Sequence, residues 1–424
     1  MAELRVVEIC AGAGGQALGL ERAGFEHELA VELDSNAVKT LQHNRKDWKV
    51  AAGDVADPKV WRPEDHKGKT DLLAGGVPCP PFTIAGKQLG ATDERDLFAW
   101  AVSQVKTVEP KALLLENVRG LSANRFAAYR QHVLDELQRC GYVASWRLLQ
   151  ASDFGVPQLR PRFVLVALKR EYAEYFTWPE PLEGDKPTVG GTLAGMMGSG
   201  GWEGADAWAE GALAIAPTIV GGSKKHGGAD LGPTRAKAAW KKLGVDAMGV
   251  ADAPPKAGWV VPEGKPGPKL TCEMVARIQG WEEGEWEFTG GKTTRYRQIG
   301  NAFPPPVAEA VGRSIYQALE KQGKRVDLVE TTEVIHDPVY KLLRGAERPV
   351  GMSQIITKLQ KGGVELSEPE VERHLAHLER DFVIERAKRS GGTYAYTLGE
   401  FKAFVGQESH ERHELFAVNK AKIS

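Results

Sequence analysis

The stretch Val6-Val7-Glu8-Ile9-Cys10-Ala11-Gly12-Ala13-Gly14-Gly15 decides the fold class of this chain. Its first five residues are mostly apolar, which predicts a buried strand, and a glycine-rich turn follows. From Gln16 to Ala23 the apolar positions have the spacing of an amphipathic helix. Glycines allow a ligand to approach the backbone closely, although this spacing differs from the Gly-x-Gly-x-x-Gly of dinucleotide-binding folds. A strand, a glycine turn and a helix in this order predict a ligand site at the carboxyl edge of a sheet.

Strand-like and helix-like segments alternate from Leu4 to about Leu168, which is typical of an α/β protein with a doubly wound parallel sheet. The predicted second strand, Glu28 to Val31, is followed by Glu32, at a position where a carboxylate can hold ribose hydroxyls. Asp54 follows a third apolar stretch and places another carboxylate at the same edge. Together these residues predict a cofactor that contains a nucleoside.

Cys79 and Glu116 each follow a short apolar run that predicts a buried strand. Pro78 and Pro80 restrict the backbone on both sides of Cys79, so we expect its thiol to lie on a stiff turn. Taken singly, a cysteine is more often a small buried apolar residue, and a glutamate after a strand is more often a cap or a surface charge. A thiol and a carboxyl group in one cleft, however, suit covalent attack on an electron-poor ring combined with protonation of that ring.

Further motifs complete a series along the chain: Gln158-Leu159-Arg160-Pro161-Arg162, Arg277-Ile278-Gln279-Gly280-Trp281 and Gln298-Ile299-Gly300-Asn301-Ala302-Phe303-Pro304-Pro305. With these motifs in this order, the chain resembles the DNA (cytosine-5)-methyltransferases over about residues 4 to 320. The resemblance implies an S-adenosylmethionine-dependent methyltransferase fold, a Rossmann-like doubly wound α/β sheet. It also implies S-adenosyl-L-methionine as cofactor, S-adenosyl-L-homocysteine as product and no metal ion.

The resemblance carries site roles over to particular residues. It assigns cofactor binding to Cys10, Ala11, Gly12, Gly14, Gly15, Glu32, Leu33, Asp54, Val55, Pro78, Leu97, Asn301 and Ala302. It assigns catalysis to Cys79, Glu116, Arg160 and Arg162. In these roles Cys79 adds to carbon 6 of a flipped cytosine and Glu116 hydrogen-bonds the ring nitrogen. The two arginines would help to hold the flipped base and neighbouring phosphates.

Two positions depart from the family pattern. Cys10 stands where phenylalanine is common, so one aromatic contact to the cofactor is expected to be absent or supplied elsewhere. Pro80 stands where glutamine is common and stiffens the start of the loop from Thr83 to Arg95, for which Gly86 and Gly90 are the expected hinges. Neither departure removes a chemical group that the reaction needs.

Composition is that of a globular protein of two or three domains: 424 residues, 42% hydrophobic and 26% charged. No apolar run reaches transmembrane length, and four cysteines without a Cys-x-x-Cys spacing indicate neither zinc nor disulfides, so we expect a cytoplasmic protein that does not bind membranes. A net charge of −1 counts against nucleic-acid binding. Residues 222 to 245, however, carry six basic side chains and one acid. They predict phosphate contacts to double-stranded DNA through Lys224, Lys225, Arg235 and Lys237.

Changes in composition along the chain predict three domains. Residues 1–178 with 293–325 form the catalytic cofactor-binding domain, and the glycine-rich residues 179–292 form a small, irregular target-recognition domain. Residues 326–424 lie outside the resemblance and read as three helices and a hairpin, the pattern of a winged-helix-like C-terminal module. This segment has 14 basic and 16 acidic residues. For this segment, a dimer contact or a protein partner is therefore as good a hypothesis as DNA binding.

The function that the resemblance implies is methyl transfer to carbon 5 of a flipped cytosine in a specific duplex DNA sequence, in a bacterial modification or restriction-modification system. One alternative is a tRNA cytosine-5 methyltransferase, although that branch has little between its two halves, where this chain has a sizeable segment. Another is a non-catalytic DNA-binding relative, although such proteins tend to lose the thiol or the acid. Both are present here.

Overall fold

The central sheet of the protein, seen in a computed structural model that describes residues 3–77, 95–221, 228–328, 337–389 and 392–402, has seven strands. The strands are β1 Arg5–Ile9, β2 Glu26–Glu32, β3 Val50–Ala52, β4 Leu72–Gly76, β5 Ala112–Val118, β6 Tyr142–Gln150 and β7 Pro161–Lys169. Their order across the sheet is β3-β2-β1-β4-β5-β7-β6, and the pairs β2–β3, β1–β2, β1–β4 and β4–β5 are parallel. The carboxyl ends of these strands therefore meet at one edge, and the predicted doubly wound α/β fold class is confirmed.

The helices that alternate with the strands are α1 Gly15–Arg22, α2 Ser35–Asn44, α3 Arg95–Ser103, α4 Val105–Val108, α5 Ala127–Arg139 and α6 Arg170–Ala173. The later helices up to residue 328 are α7 Val189–Gly198, α8 Ala205–Gly211, α9 Thr234–Lys242, α10 Cys272–Gln279, α11 Lys292–Asn301 and α12 Pro305–Leu319. No helix in the described ranges is both long and apolar enough to span a bilayer.

The middle strands are buried on both faces, which explains their continuous apolar sequences. Val6, Val7 and Ile9 of β1 are fully buried, as are Leu72, Leu73 and Ala74 of β4. The same strand β1 buries Glu8, which pairs with His27 of β2 at 3.2 Å. Burial raises the pKa of the Glu8 carboxyl. The sheet thus contains an ionisable pair inside its core and a second set of charged side chains at its carboxyl edge.

Helix α12 packs directly against α1. A Cβ atom on Gly19 would lie 2.5 Å from the Cβ of Ala308 and 2.5 Å from the carbonyl oxygen of Pro305, so only glycine allows this backbone approach. Pro305 occupies the first turn of α12, where its missing N–H is not needed. The segment after residue 292 therefore returns to the helix that follows the glycine turn.

The segment predicted to recognise the target contains more regular structure than its glycine content indicates. Helices α7, α8 and α9 surround an apolar core in which Trp240 is fully buried and donates its Nε1 hydrogen to the carbonyl of Leu231 at 3.2 Å. The prediction of mostly irregular loops missed these helices, because glycines and prolines separate them into pieces of ten residues or fewer.

The chain divides into two compact units. The described residues of Met1–Val77, Val108–Asn117 and Trp146–Val326 form the first unit, and those of Pro78–Thr107, Val118–Ser145 and Asp327–Ser424 form the second. The C-terminal elements in the second unit are α13 Pro338–Arg344, β8 Val350–Gly351, α14 Met352–Lys361, α15 Glu368–Asp381, β9 Phe382–Lys388 and β10 Tyr394–Phe401. Their three strands form a sheet in the order β8-β10-β9.

In the second unit, the C-terminal elements pack on helix α5. The ring of His132 lies 4.3 Å from the ring of Phe401 and 5.4 Å from that of Phe382, measured between centroids. Asp135 is buried and forms an ion pair with Arg344 at 2.6 Å. Charged groups near His132 are Glu136, which favours its protonation, and Arg139, Arg344 and Lys106, which oppose it. Burial dominates and lowers the pKa of His132 to about 4.

Acid is therefore expected to destabilise the second unit through His132. In the unfolded chain the pKa of His132 is 6.5, so the unfolded state binds a proton as pH falls below that value. The folded state binds this proton only near pH 4. The stabilisation is complete above pH 6.5 and is lost between 6.5 and 4, which amounts to roughly 2 kcal/mol by pH 5. His132→Phe should reduce the difference between the unfolding free energies at pH 8 and pH 5 by that amount, as measured by urea titration. An identical pH dependence in both proteins would contradict this role.

Candidate active site

The centre of the site is a buried pair of opposite charges. Glu116 lies near the end of β5 and Arg162 near the start of β7, and the Arg162 Nε atom is 2.5 Å from Glu116 Oε1. The Nε–H direction does not meet hydrogen-bond geometry, so the contact is an ion pair that leaves the carboxyl group free to hydrogen-bond a ligand. Burial raises the pKa of Glu116, and the charges of Arg162 and Arg160 oppose this rise. A carboxyl group of this kind holds its proton more readily than a solvated one.

The chain that leads to Cys79 begins beside this carboxyl group. Gly76, the last residue of β4, pairs in register with Glu116, and a Cβ atom on it would lie 3.6 Å from Glu116 Oε2. Asn117 donates its side-chain hydrogen to the carbonyl of Val77 at 3.4 Å. Pro78 and Cys79 lie outside the described residues, as does the loop from Thr83 up to α3. The predicted role of Cys79 stays a prediction, and the strand β4 that precedes it in the sequence ends at the edge that carries Glu116.

Arg160 is buried and bonded to backbone carbonyls. Its side chain is 1% exposed, and its guanidinium donates to the carbonyl oxygens of Ile219 at 2.7 Å, Gly300 at 2.7 Å and Ala302 at 2.9 Å. These carbonyls come from two segments that cross so closely that a Cβ atom on Gly300 would lie 2.5 Å from the backbone nitrogen of Gly221. Arg160 therefore links these two segments through its donors, and its predicted contact with the base and phosphates stays a prediction.

The glycine turn and Glu32 form the first part of the cofactor region. Glu32 Oε2 accepts a hydrogen bond from the backbone of Gly12 at 2.7 Å, and its Oε1 accepts one from the backbone of Asp34 at 2.6 Å. Gly12 has φ +57° and Gly14 has φ +93°, which favour glycine. Cys10 has φ +52°, which is uncommon for a residue with a side chain. The turn is therefore held in its shape partly by the carboxylate that is predicted to hold ribose.

The ends of β2 and β3 supply the remaining nucleoside contacts that were predicted. Asp54 Oδ1 accepts a hydrogen bond from the backbone of Ala56 at 3.0 Å, which fixes the carboxylate. Leu33 is apolar yet 51% exposed, whereas Val55 is buried. Two fixed carboxylates around an exposed leucine suit a nucleoside, because hydroxyls and an amino group need acceptors and an adenine ring needs an apolar surface. These acceptors and this apolar surface thus fit the nucleoside part of S-adenosylmethionine.

Other predicted cofactor residues are placed as follows. Ala11 is buried and donates to the Val31 carbonyl at 3.1 Å, while a Cβ atom on Gly15 would clash with the Phe303 carbonyl and lie 3.0 Å from Ala302. Gly15 therefore serves the packing of the turn against the end of α11. Asn301 is exposed there, and Leu97 is buried on α3 in the second unit.

The predicted phosphate contacts differ in their surroundings. Lys224 and Lys225 lie outside the described residues. Arg235 is exposed on α9, whereas Lys237 forms an ion pair with Asp230 at 2.7 Å. The charge of Lys237 is thus already balanced within the protein. Among the described residues there is no cluster of three or more His, Cys, Asp or Glu side chains that could hold a metal ion.

Comparison with known proteins identifies the family. A family model for C-5 cytosine-specific DNA methylases matches residues 4–317. The chain belongs to this family. The Type II methyltransferase M.NaeI of Lentzea aerocolonigenes is 62% identical over 425 residues, which covers 100% of both chains. The Type II methyltransferase M.NgoMIV of Neisseria gonorrhoeae is 49% identical over 320 residues, which covers 75% of this chain and 98% of that relative.

Solved structures support the same fold for this C-5 cytosine-specific DNA methylase. A prophage-encoded protein of Escherichia coli, assigned as a DNA modification methyltransferase, superposes with a TM-score of 0.51 at 21% identity. The match covers 75% of this chain and 100% of that one. At this level of identity the likeness shows the fold alone. It leaves about a quarter of the chain without a counterpart.

Two side chains of this C-5 cytosine-specific DNA methylase, which had no predicted role of their own, lie close to the predicted site residues. Asn117 connects the end of β5 to Val77, and Gln16 is buried in α1 with a side-chain amide that has no partner among the described residues. In the sequence, Gln16 is distinguished only as a polar residue that follows the glycine turn directly and lies within a predicted helix. Such a residue is ordinary on a helix surface, so only burial shows that it is unusual.

Proposed function

We propose that this chain is a DNA (cytosine-5-)-methyltransferase that methylates carbon 5 of a flipped cytosine within a specific duplex DNA sequence. The observation that carries the proposal is the buried Glu116–Arg162 pair at 2.5 Å, beside the strand end that leads to Cys79. A buried carboxyl group with a raised pKa, together with the Cys79 thiol that the sequence supplies after β4, would suit addition to a pyrimidine ring. Membership of the C-5 cytosine-specific DNA methylase family supports the same reaction.

S-adenosylmethionine would supply an electrophilic methyl group when bound. Glu32 would hold its ribose hydroxyls, Asp54 its adenine amino group and Leu33 the face of its adenine ring. The first two already have their carboxylates fixed by backbone hydrogen bonds, so their acceptor positions need little reorganisation on binding. The turn from Cys10 to Gly14 would approach the cofactor through its backbone.

The protein's own residues would prepare the base for transfer. Carbon 5 of cytosine is a weak nucleophile, and addition of the Cys79 thiolate to carbon 6 raises its electron density. Negative charge then develops on the ring nitrogen, where Glu116 would supply a proton or a strong hydrogen bond. Arg162 would keep Glu116 oriented and limit the rise of its pKa. Extruding the cytosine from the duplex costs a few kcal/mol, which contacts in the cleft must offset.

The biological setting follows from the named relatives. M.NaeI and M.NgoMIV are Type II methyltransferases, and the first matches this chain over its whole length. We therefore propose that the chain protects DNA in a bacterial modification or restriction-modification system and acts in the cytoplasm. The core formed by α7, α8 and α9 supports recognition of duplex DNA over tRNA, because it supplies a sizeable folded segment between the two halves of the catalytic domain.

The C-terminal elements carry a separate proposal. Their order of helix, strand, two helices and a hairpin supports a winged-helix-like module for residues 326–424. In such modules a helix enters a DNA groove, yet α15 exposes Glu368, Glu370 and Glu372. Like charge between these carboxylates and phosphates opposes that docking. Contact with another protein or a second copy of the chain is therefore favoured over DNA binding.

Bisulfite sequencing of DNA from a host that expresses this chain tests the proposed function. We expect complete protection of cytosine at one recurring sequence and none in a host that expresses Cys79→Ser, because the hydroxyl is a far weaker nucleophile than the thiolate. Bisulfite sequencing of tRNA from the same cells is the control for the RNA alternative. Protection in tRNA alone, or undiminished protection of DNA by Cys79→Ser, would overturn the assignment.

A further inference from the structure

Gln16 is a buried amide that the reaction described above does not use. It is the second residue of α1 and is 3% exposed. Both its Nε2 and its Oε1 are buried, and neither has a hydrogen-bond partner among the described residues. Buried side-chain polar atoms are paired in the large majority of cases, so an amide with both atoms unpaired indicates a partner that binds from outside.

The amide faces the space between the cofactor region and the catalytic carboxyl group. A Cβ atom built on Gly76 would lie 4.0 Å from Gln16 Oε1, 3.8 Å from the Cys10 carbonyl oxygen and 3.6 Å from Glu116 Oε2. Among the described residues, apart from Gly76 and its two chain neighbours, no heavy atom comes nearer to that point, so a ligand atom fits where Gly76 lacks a side chain. Three oxygen atoms, one from the residue that follows β1, one from α1 and one from β5, thus border one small space at the carboxyl edge of β4.

The strand order shows which part of the cofactor would reach this space. Glu32 ends β2 and Asp54 follows β3, and both suit the nucleoside, whereas Glu116 lies near the end of β5, where the base would react. Strands β1 and β4 lie between these positions, and α1 follows β1. A cofactor that extends from the nucleoside region toward Glu116 must therefore place its amino-acid end and sulfur near the start of α1.

The chemistry of the amide selects between these two groups. A sulfonium offers nothing to the Nε2 donor of Gln16, which would stay unpaired. An α-amino acid offers a carboxylate that accepts and an ammonium that donates, so it matches both halves of the amide. We propose that Gln16 binds the amino-acid end of S-adenosylmethionine, with Nε2 donating to the carboxylate and Oε1 accepting from the ammonium. This assignment rests on the proposed function.

Two ligands separate this contact from the rest of the site. S-adenosylhomocysteine has the amino-acid end, and 5′-methylthioadenosine has the same nucleoside and a thioether without it. Gln16→Met keeps the size and removes the amide. In calorimetry on the full chain, we expect its dissociation constant for S-adenosylhomocysteine to rise about 10- to 100-fold, as for lost hydrogen bonds to charged groups. Its constant for 5′-methylthioadenosine should change less than about twofold.

Thermal unfolding without ligand supplies the second readout. Removing an unpaired buried amide should leave the melting temperature of Gln16→Met unchanged or raise it. Gln158→Met is the matched control, because Gln158 is equally buried but donates to Gln279 Oε1 at 2.6 Å and accepts from the Ile219 backbone at 2.9 Å. This control should melt at a lower temperature. Gln16→Leu provides the same comparison if the methionine variant does not fold.

The outcomes of these experiments distinguish the assignment of Gln16 from the proposed cofactor. Equal losses for the two ligands, no loss for either, or a lowered melting temperature of the Gln16 variants in the absence of ligand would overturn the assignment of Gln16. Absence of binding of S-adenosylhomocysteine to the wild-type chain would instead overturn the proposed cofactor. Selective loss of S-adenosylhomocysteine binding with retained stability is the result that supports the contact.

Discussion

Substitution of Glu116 by glutamine is expected to lower kcat for cytosine methylation by about 10²- to 10⁴-fold, the usual contribution of a general acid or base. Burial raises the pKa of Glu116, so its carboxyl group can hold a proton for the ring nitrogen. Glutamine keeps the shape and can donate a hydrogen bond, but it cannot transfer a proton. Single-turnover methylation of a duplex that contains the recognised site measures the effect, and calorimetry should show unchanged affinity for S-adenosylhomocysteine.

Glu8→Gln is the matched control for this experiment. Glu8 is also buried in the sheet and also has a raised pKa, but it pairs with His27 inside the core. Its replacement is expected to change stability and to leave kcat within a few-fold of the wild-type value. A similar loss of kcat in both variants would show that the sheet tolerates neither change. Wild-type turnover by Glu116→Gln would remove Glu116 from the mechanism.

The sequence predicts the sheet and its carboxyl edge because the signals there are local. The run Leu72 to Ala74 is apolar at every position, as strands covered on both faces must be. Glu32 and Glu116 follow such runs, so their place at the edge is a consequence of strand direction alone. The glycine turn is similarly local, since a positive φ at Gly12 or Gly14 selects glycine whatever lies elsewhere in the chain.

Contacts between distant segments had no such signal. Arg160 and Arg162 are two residues apart in one motif, yet Arg162 pairs with Glu116 while Arg160 binds carbonyls that lie as far away as Ala302. The pairing of Lys237 with Asp230 and the burial of Gln16 likewise depend on tertiary packing. Charge and polarity in a sequence do not show whether a side chain faces a ligand, a partner or solvent.

Helix boundaries in the C-terminal segment illustrate the limits of local signals on a smaller scale. Glu370 accepts hydrogen bonds from the backbone and hydroxyl of Ser367, at the start of α15. Ser353, in contrast, has the residue type of a helix cap but lies inside the preceding helix, which begins one residue earlier at Met352. There Gln354 accepts a hydrogen bond from the backbone of Gly351 at 3.0 Å. A serine is a common cap, but a glycine followed by glutamine three residues later fulfilled the same need.

Deletion of residues 326–424 is expected to lower the melting temperature of the protein by at least about 10 °C. Helix α5 buries Tyr129 against Phe401 and His132 against Phe382 and Phe401, and Asp135 accepts from the Tyr340 hydroxyl at 3.4 Å. Burying one aromatic side chain contributes about 1.5–3 kcal/mol, and 1 kcal/mol shifts the melting temperature of a domain of this size by about 2–4 °C. Differential scanning calorimetry of the full and shortened chains measures the loss.

We expect the chemistry itself not to require this segment, because the family model matches residues 4–317 and the last of the motifs ends at Pro305. The segment is needed for stability, because its deletion would expose the apolar and acidic face of α5. Arg344→Gln is the milder companion, since it removes the ion pair with Asp135 and leaves the aromatic contacts in place. It should lower the melting temperature by only a few degrees. A shortened chain that melts and methylates like the full protein would show that these contacts contribute nothing. In that case α5 would be stable without its cover, and the segment would be free to serve a partner.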